Sequence, residues 1–427
     1  IRKYYDMTDI GTFPERKKPI SKRPPLTQLE GAITYNEIYE SLTQLNLSIY
    51  TPTNFIFPSK LDKYNIFNHE QGTSLTQAGR EQGIRRLMSI NLLKRLESSV
   101  HSFQLTLTRI YELIHSTIEA IDNYQPESEI SLVDLSDAED FDYDDQNTDL
   151  LSVGKKVKIE LKDMDYISWR KGLAEDKATL ELLLSMMNDI TPQYDKKLLT
   201  LFDVIRNKIN HPINVGNKKV IVFTAFSDTA EYLYDNISKM VKKEFGINSA
   251  MITGSVDGRT TIPKVKVDLN TVLTCFSPIS KEKELLMPNN KDQIDILIAT
   301  DCISEGQNLQ DCDYVINYDI HWNPVRIIQR FGRIDRIGSK NATIQLVNFW
   351  PDLSLDEYIN LKSRVETRMK ISVMTSTGDD DLINNEEKGD LEYRKQQLSR
   401  LDKEVVDIEE MSNGISIMDL GLNEFRL

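Results

Sequence analysis

Residues that build disulfide frameworks and metal centres are scarce in this sequence. Its 427 residues include three cysteines and five histidines. Cys275, Cys302 and Cys312 form no CxxC pair, and their odd number favours a reduced protein of the cytoplasm. The histidines are scattered and lack the spacing of metal ligands. The sequence therefore argues against a disulfide-stapled scaffold and predicts no metal ion held by this chain.

Long apolar runs are also absent. No stretch approaches the roughly 20 apolar residues that cross a bilayer. The first residues, "IRKYYDMTDIGTFPERKK", lack the apolar segment of a signal peptide. We therefore expect no membrane partner. The first residue is Ile1 and not methionine, which is compatible with a piece of a longer protein.

The net charge of −14 comes largely from one segment. Residues 121–150 contain eleven Asp and Glu and no Lys or Arg, so the remaining residues carry about −3 (−14 plus 11). This composition predicts a disordered loop or linker; a mimic of nucleic acid that competes for a basic groove is the alternative. Basic clusters at 15–25, 83–95 and 154–162 leave nucleic-acid binding open.

The length of the chain predicts two to four domains. Changes in composition and in the pattern of apolar residues divide the sequence into four regions. Residues 1–60 are punctuated by proline and suit an extended connector with one helix near 35–45. Residues 61–194 are helical in pattern, residues 195–351 alternate between strand and helix, and residues 352–427 form a helical, charged C-terminal extension.

Apolar residues at steps of three and four predict the helices of the second region. The series from 82 to 121 predicts one long amphipathic helix, packed in a helical hairpin. Two further helices are predicted at 174–190 and 194–209, separated by Pro192.

The third region is typical of an α/β fold with a buried parallel sheet. Short apolar runs alternate there with helices, which indicates βαβ units. We predict strands within 219–226, 249–254, 294–301, 313–319 and 343–350. A helix over 227–241 is predicted to begin with a capping box that pairs Asp228 and Glu231. Residues 255–293 lack periodicity and are predicted to be rich in loops.

Small polar and acidic residues follow four of the predicted strands. Because ligands gather at the carboxyl ends of parallel strands, these residues predict a site that grips phosphate oxygens. Taken singly, each threonine also fits an ordinary strand-end turn. The residues are Thr224, Thr253, Gly254, Thr300, Asp301 and Asp319.

The stretch "QRFGRIDRIG" places Arg330, Arg333 and Arg336 at every third position. This spacing would put them near one face of a helix, but Gly332 and Gly338 each weaken a helix by about 1 kcal/mol. An arginine aimed at a transferring γ-phosphate neutralises charge that develops in the transition state. The stretch therefore predicts a nucleotide contact.

The order of these motifs resembles the second RecA-like lobe of superfamily 2 helicases. The motifs are "VIVFTAF", "MITGS", "ILIATDCISEGQNLQDCDYVINYDIHWNP" and "QRFGRIDRIG". The elements "WNP" and "GRIDRIG" are most similar to Swi/Snf-type translocases and their bacterial RapA-like relatives. The resemblance covers about 195–350, and "FPERKKP" resembles the segment that enters lobe two. It implies a RecA-like α/β fold that carries a large, mostly α-helical insertion.

The resemblance also implies roles for individual residues. Arg333 and Arg336 would act as arginine fingers on ATP, with Gln329 beside them. The nucleotide side of the cleft would include Asp301, Glu305, Gly306 and Asn308. The nucleic-acid contacts would be Thr224, Thr253, Gly254, Thr300, Ser304, Trp322 and Asn323, with core packing as an equal alternative for Trp322.

Two elements of such motors are missing from the 427 residues. No GxxxxGK[ST] occurs, and no apolar strand ends in an Asp-Glu pair that could hold Mg²⁺. The Asp-Glu pair of "LSLDEYI" (353–359) lies in a predicted helix and fits a solvated surface. The family keeps both elements in its first lobe, so we expect ATP and Mg²⁺ to be held only in a full-length protein.

We therefore expect the C-terminal lobe of a nucleic-acid-dependent ATPase, inactive without an N-terminal RecA-like lobe of the same protein. Duplex DNA is the expected partner, and RNA stays open. The alternatives are a non-catalytic nucleic-acid-binding or scaffolding module and the lobe of an RNA helicase.

Overall fold

The computed structural model describes residues 13–64, 77–125, 132–133, 159–303, 307–320 and 324–352. Within these ranges the chain is an α/β structure in which a mostly parallel sheet is flanked by helices, which confirms the predicted fold class. Most of the acidic segment and nearly all of the C-terminal extension lie outside the described residues.

Ten strands and ten helices occur in these ranges. The strands are β1 (Glu15–Arg16), β2 (Ile20–Lys22), β3 (Leu132–Val133), β4 (Ile159–Glu160), β5 (Val220–Phe223), β6 (Ser249–Ile252), β7 (Arg259–Thr260), β8 (Ile296–Ala299), β9 (Tyr314–Asn317) and β10 (Thr343–Phe349). The helices are α1 (Tyr35–Gln44), α2 (Leu61–Tyr64), α3 (Gln77–Ser98), α4 (Val100–Asp122), α5 (Tyr166–Met187), α6 (Lys196–Asn210), α7 (Ser227–Phe245), α8 (Leu269–Phe276), α9 (Lys283–Leu286) and α10 (Pro324–Phe331).

Eight of these strands form one sheet with the order β1-β10-β9-β5-β8-β6-β7, and β2 also pairs with β10. All pairings are parallel except that of β6 with β7. The five predicted strand runs are confirmed as β5, β6, β8, β9 and β10. The edge strands β1 and β2 extend the sheet beyond 195–351, since they come from the predicted connector.

Alternation along β5 divides the core of the sheet into two layers. Val220 and Val222 pack with residues of α6 and α7 on one face. Ile221 and Phe223 pack with residues of α8 and with Phe331 on the other. Because both faces are covered, the central strands β5 and β8 are apolar throughout, as buried parallel strands usually are.

A third apolar core joins α1, α3, α4 and α5. The prediction of a single helix from 82 to 121 is wrong, because the helix is interrupted at Ser99, between α3 and α4. Ser99 has an extended backbone, with φ −156° and ψ 151°, and its hydroxyl accepts a hydrogen bond from the Ser102 N–H. Serine favours this capping arrangement over a helix interior, and the apolar periodicity continues across the break and conceals it.

The predicted capping box of α7 is also wrong. The helix begins at Ser227, and its N-cap is Phe226, which makes no side-chain cap. The Asp228 carboxylate instead accepts hydrogen bonds from Arg95 and Ser102 of the α3–α4 pair. Distant partners thus override the local pattern. Residues 255–293 also contain more regular structure than predicted, namely β7, α8 and α9.

Lys197 of α6 fastens the break between α3 and α4 to the sheet domain. Its ammonium group donates to the backbone oxygens of Glu97 at 2.5 Å and Ser98 at 2.8 Å, and it lies 4.2 Å from the ring centre of Tyr318. Burial lowers the pKa of Lys197 to about 8, against the opposing attraction of Asp319 and other carboxylates. None of the helices in the described ranges combines the length and apolar character that a bilayer crossing requires.

The lowered pKa of Lys197 predicts a pH-dependent stability. Between about pH 8 and 10.5 the unfolded chain binds more protons at this residue than the folded chain, so its contribution to the free energy of unfolding rises with pH. The wild-type minus Lys197→Met difference should therefore increase through that window, with a limiting slope of about 1.4 kcal/mol per pH unit. Urea unfolding of both chains at stepped pH values measures this slope.

Lys239→Met on the exposed side of α7 is the control for loss of a lysine. A difference between wild type and Lys197→Met that stays flat or falls as the pH rises would contradict the lowered pKa.

Candidate functional site

The carboxyl ends of three neighbouring strands meet at one edge of the sheet. The order β9-β5-β8 is parallel throughout, so the residues that follow these strands lie on the same edge. The Asp319 carboxylate, after β9, accepts a hydrogen bond from the Thr224 hydroxyl at 2.6 Å and from the Ala225 N–H at 3.0 Å. Thr224 and Asp319 are both buried. The Thr224 hydroxyl, which was predicted to contact phosphate, is thus hydrogen-bonded within the protein.

Ser98, at the end of α3, closes over this pair. Its hydroxyl donates to Asp319 at 2.7 Å and lies 3.2 Å from the Thr224 hydroxyl and 2.9 Å from that of Thr229. The buried serine therefore completes a cluster of hydroxyl groups around one carboxylate. Sequence reasoning missed Ser98 because 221 residues separate it from Asp319 and no local pattern marks it.

Arg330 of α10 points into the same edge and is fully buried. Two of its nitrogens donate to the two carboxylate oxygens of Asp301 at 2.6 and 2.8 Å, and a third donates to the Asn317 side chain at 3.2 Å. Burial by itself lowers the pKa of Arg330. The charge of Asp301 and the hydrogen bonds to Asp301 outweigh that effect and raise the pKa above its ordinary value. This bidentate pair, lying against the Phe223 ring, anchors α10 to the strand ends.

The three arginines do not share one helical face, so that prediction is wrong. The helix α10 ends at Phe331, and Arg333 and Arg336 follow in a turn. Both are half-buried, in contrast to Arg330. The backbone of the turn is held by hydrogen bonds from the Arg333 N–H to the Arg330 oxygen at 3.2 Å and from the Leu309 N–H to the Arg333 oxygen at 3.1 Å.

Two further contacts fix the turn. Asp335, which lies between Arg333 and Arg336, forms a buried ion pair with Arg16 of β1 at 2.8 Å. Arg336 donates to the backbone oxygen of Gly332 at 3.3 Å. The strand β1 therefore reaches across from the start of the chain to hold the turn, and neither Arg16 nor its role was predicted from the sequence.

The remaining predicted site residues fall into three groups. Thr253 is half-buried and bonds the backbone of Val256, Gly254 beside it is exposed, and Asn308 is exposed. Thr300 and Gln329 each carry a buried side-chain oxygen that finds no hydrogen-bond partner among the residues described. Five lie outside the described residues: Ser304, Glu305, Gly306, Trp322 and Asn323.

The described part of the chain contains no cluster of three His, Cys, Asp or Glu residues suited to a metal ion. The two carboxylates at the strand ends are already engaged, Asp301 by Arg330 and Asp319 by Thr224 and Ser98. They do not fit a Mg²⁺ site in this arrangement. The half-buried Arg333 and Arg336 do fit an anionic group, since guanidinium donors match phosphate oxygens.

Comparison with known proteins gives this edge a family context. Residues 200–338 match the family model described as "Helicase conserved C-terminal domain". The chain is 29% identical over 203 residues to "Uncharacterized ATP-dependent helicase YqhH" of Bacillus subtilis (strain 168), a match that covers 48% of this chain and 30% of the relative.

Other relatives carry names of both RNA and DNA helicases. The chain is 27% identical over 195 residues to "Probable ATP-dependent RNA helicase ddx51" of Dictyostelium discoideum, covering 44% of this chain and 31% of the relative. It is 28% identical over 167 residues to "Putative ATP-dependent DNA helicase fml2" of Schizosaccharomyces pombe, covering 37% and 18%. The chain thus spans less than a third of each of these three relatives.

A similar solved structure is the "C-terminal part of Fun30 ATPase domain", with 14% identity and a TM-score of 0.33 over 91% of this chain and 99% of that one. The fold is established by the strand order of the chain itself. The matched segment runs from α6 through the turn that carries Arg333 and Arg336. Residues 200–338 are therefore similar to the helicase conserved C-terminal domain, and relatives of the chain are named as ATP-dependent helicases.

Proposed function

We propose that this chain is the C-terminal lobe of a superfamily 2 ATPase of the Swi/Snf type, which moves on nucleic acid. Arg333 and Arg336 act on ATP that is cradled by a separate N-terminal lobe of the same protein. The observation that carries the proposal is the division of the arginine triplet: Arg330 is buried in an ion pair, whereas Arg333 and Arg336 are only half-buried in the turn behind it. A fixed turn whose two arginines keep part of their surface exposed suits a ligand that docks from outside.

The charges at this edge support a triphosphate as that ligand. Arg333 and Arg336 bring two positive charges into a turn whose carboxylate, Asp335, is paired with Arg16. Gln329 adds a side chain with a buried oxygen that has no hydrogen-bond partner among the described residues. Because Asp301 and Asp319 are engaged internally, the ligands of Mg²⁺ are assigned to the other lobe, as is the phosphate-cradling loop that the sequence lacks.

Nucleic acid is assigned to the end of β6. Gly254 is exposed there beside the half-buried Thr253, whereas the Thr300 hydroxyl at the end of β8 is buried. Small residues and hydroxyl groups of this kind contact the phosphate backbone without reading bases. The "WNP" and "GRIDRIG" elements favour duplex DNA. RNA is the second candidate because one of the similar proteins is named as an RNA helicase.

Removing either arginine of the turn, Arg333 or Arg336, should abolish ATP hydrolysis by the full-length protein. Arg333→Ala or Arg336→Ala removes a group that stabilises charge in the transition state, and the expected loss in kcat is about 10³- to 10⁵-fold. Steady-state ATPase assays with saturating nucleic acid measure it. Arg206→Ala, which alters a half-buried arginine of α6 that pairs with Glu244 of α7, is the matched control and should retain activity. Normal turnover by both turn variants would rule out the arginine assignment.

The chain of 427 residues should not hydrolyse ATP by itself. It lacks the GxxxxGK[ST] loop, so ATP has no cradle until an N-terminal lobe supplies one. Phosphate release from the purified chain, compared with the full-length protein at equal concentration, tests this expectation. Turnover by the isolated chain at a rate similar to that of the full-length protein would refute the division of labour between lobes.

Duplex DNA should bind the full-length protein more tightly than duplex RNA of equal length. Both affinities should fall steeply with salt, because contacts to phosphates release counterions. Fluorescence anisotropy titrations at several KCl concentrations compare the two ligands at matched ionic strength. Tighter binding of the RNA duplex at every salt concentration would favour the RNA candidate over the DNA candidate.

A further inference from the structure

Asp319 contacts both the α3–α4 break and Arg330 of α10. Asp319 receives the Ser98 hydroxyl on its carboxylate at 2.7 Å, and its backbone oxygen lies 3.4 Å from an Arg330 nitrogen that donates to it. A single residue therefore connects the helical region to Arg330. Arg333, the first half-buried arginine of the turn, follows Arg330 by three positions in the chain.

A second contact between the same two parts is apolar. Ile320 and Ile327 belong to the core formed by α1, α3, α4 and α5, and Ile327 is fully buried there. Phe331 and Ile334 belong instead to the core on one face of the sheet. The helix α10 and the turn after it thus lie between two cores. The position of the turn depends on both, because packed interiors resist small displacements.

The junction around Ser98 is built to hold one geometry. Lys197 donates to the backbone oxygens of Glu97 and Ser98, Arg95 pairs with Asp228, and all of these groups are buried or nearly so. Opening such a network leaves buried polar groups without partners, so its members move together or stay in place. A displacement of α3 and α4 would therefore be passed to Asp319.

We infer that Ser98 and Ile327 are positioning residues for Arg333 and Arg336, and that the helical segment 77–122 is a control element for ATP turnover. The inference rests on the proposed function. Neither residue contacts substrate; each acts through α10. A displacement of α3 and α4 changes the rate by moving the arginines, since a misplacement of about 1 Å can reduce a rate on the order of 10²-fold.

The test uses Ser98→Ala in the full-length protein. Loss of the hydroxyl should lower kcat by about 10- to 100-fold, whereas KM for ATP and the affinity for duplex DNA should stay within about twofold. Ser116→Ala is the matched control, because Ser116 is an exposed serine of α4 whose hydroxyl donates only to its own helix, at Leu113. Assays are run well below the melting temperatures of both variants, which thermal unfolding provides.

A purely structural role for Ser98 predicts a lower melting temperature with an unchanged kcat, and that result would overturn the inference. Asp319→Asn should lower kcat as well, and the double variant should lose less than the product of the two single losses, because both act through one contact. If Ser98→Ala does not fold, Ile327→Val, which removes one buried methylene group, is measured in its place with the same expectation. Full activity of Ile327→Val would then count against the inference.

Failure of the inference and failure of the proposed function give different results. If the wild-type protein hydrolyses ATP, Arg333→Ala abolishes hydrolysis and Ser98→Ala leaves kcat unchanged, the function stands and the control role is wrong. If the Arg333→Ala and Arg336→Ala proteins keep full activity, the arginine assignment is wrong and the inference falls with it.

Discussion

The buried ion pair between Arg330 and Asp301 is the interaction on which the candidate site depends. A guanidinium group without water is tolerated only when its donors are satisfied, and here both oxygens of Asp301, the Asn317 side chain and the Asp319 backbone receive them. These acceptors follow or end β8 and β9, so the pair fixes α10 to the strand ends. The turn with Arg333 and Arg336 inherits its position from that anchor.

Local patterns in the sequence were sufficient for the five central strands of the sheet and insufficient for its edge strands and for the site. The runs that become β5, β6, β8, β9 and β10 were predictable because strands buried on both faces are predominantly apolar. The same local view placed the arginine triplet on one face of a helix and missed that α10 ends at Phe331. Glycine at 332 carried the signal, since it is poorly suited to continue a helix.

The contacts that the sequence did not reveal join residues far apart in the chain. Ser98 and Asp319 are 221 residues apart, Lys197 and the Glu97 oxygen are 100 apart, and Arg95 and Asp228 are 133 apart. Serine, lysine and arginine have ordinary roles on solvated helices, so nothing in their neighbours distinguishes a buried partner from an exposed one. Only the packing of α3 and α4 on the sheet edge brings these groups together.

The polar chemistry of this junction defines position more than it adds stability. An apolar junction of the same size would bury as much surface, but dispersion contacts between its side chains have little directional preference. Hydrogen bonds from Ser98, Thr224 and Lys197 require particular distances and angles, so they admit one arrangement of the α3–α4 break over the strand ends. The proposed role of the two arginines on a ligand of another lobe requires such a constraint, and the burial that lowers the pKa of Lys197 disfavours its charged form at this junction.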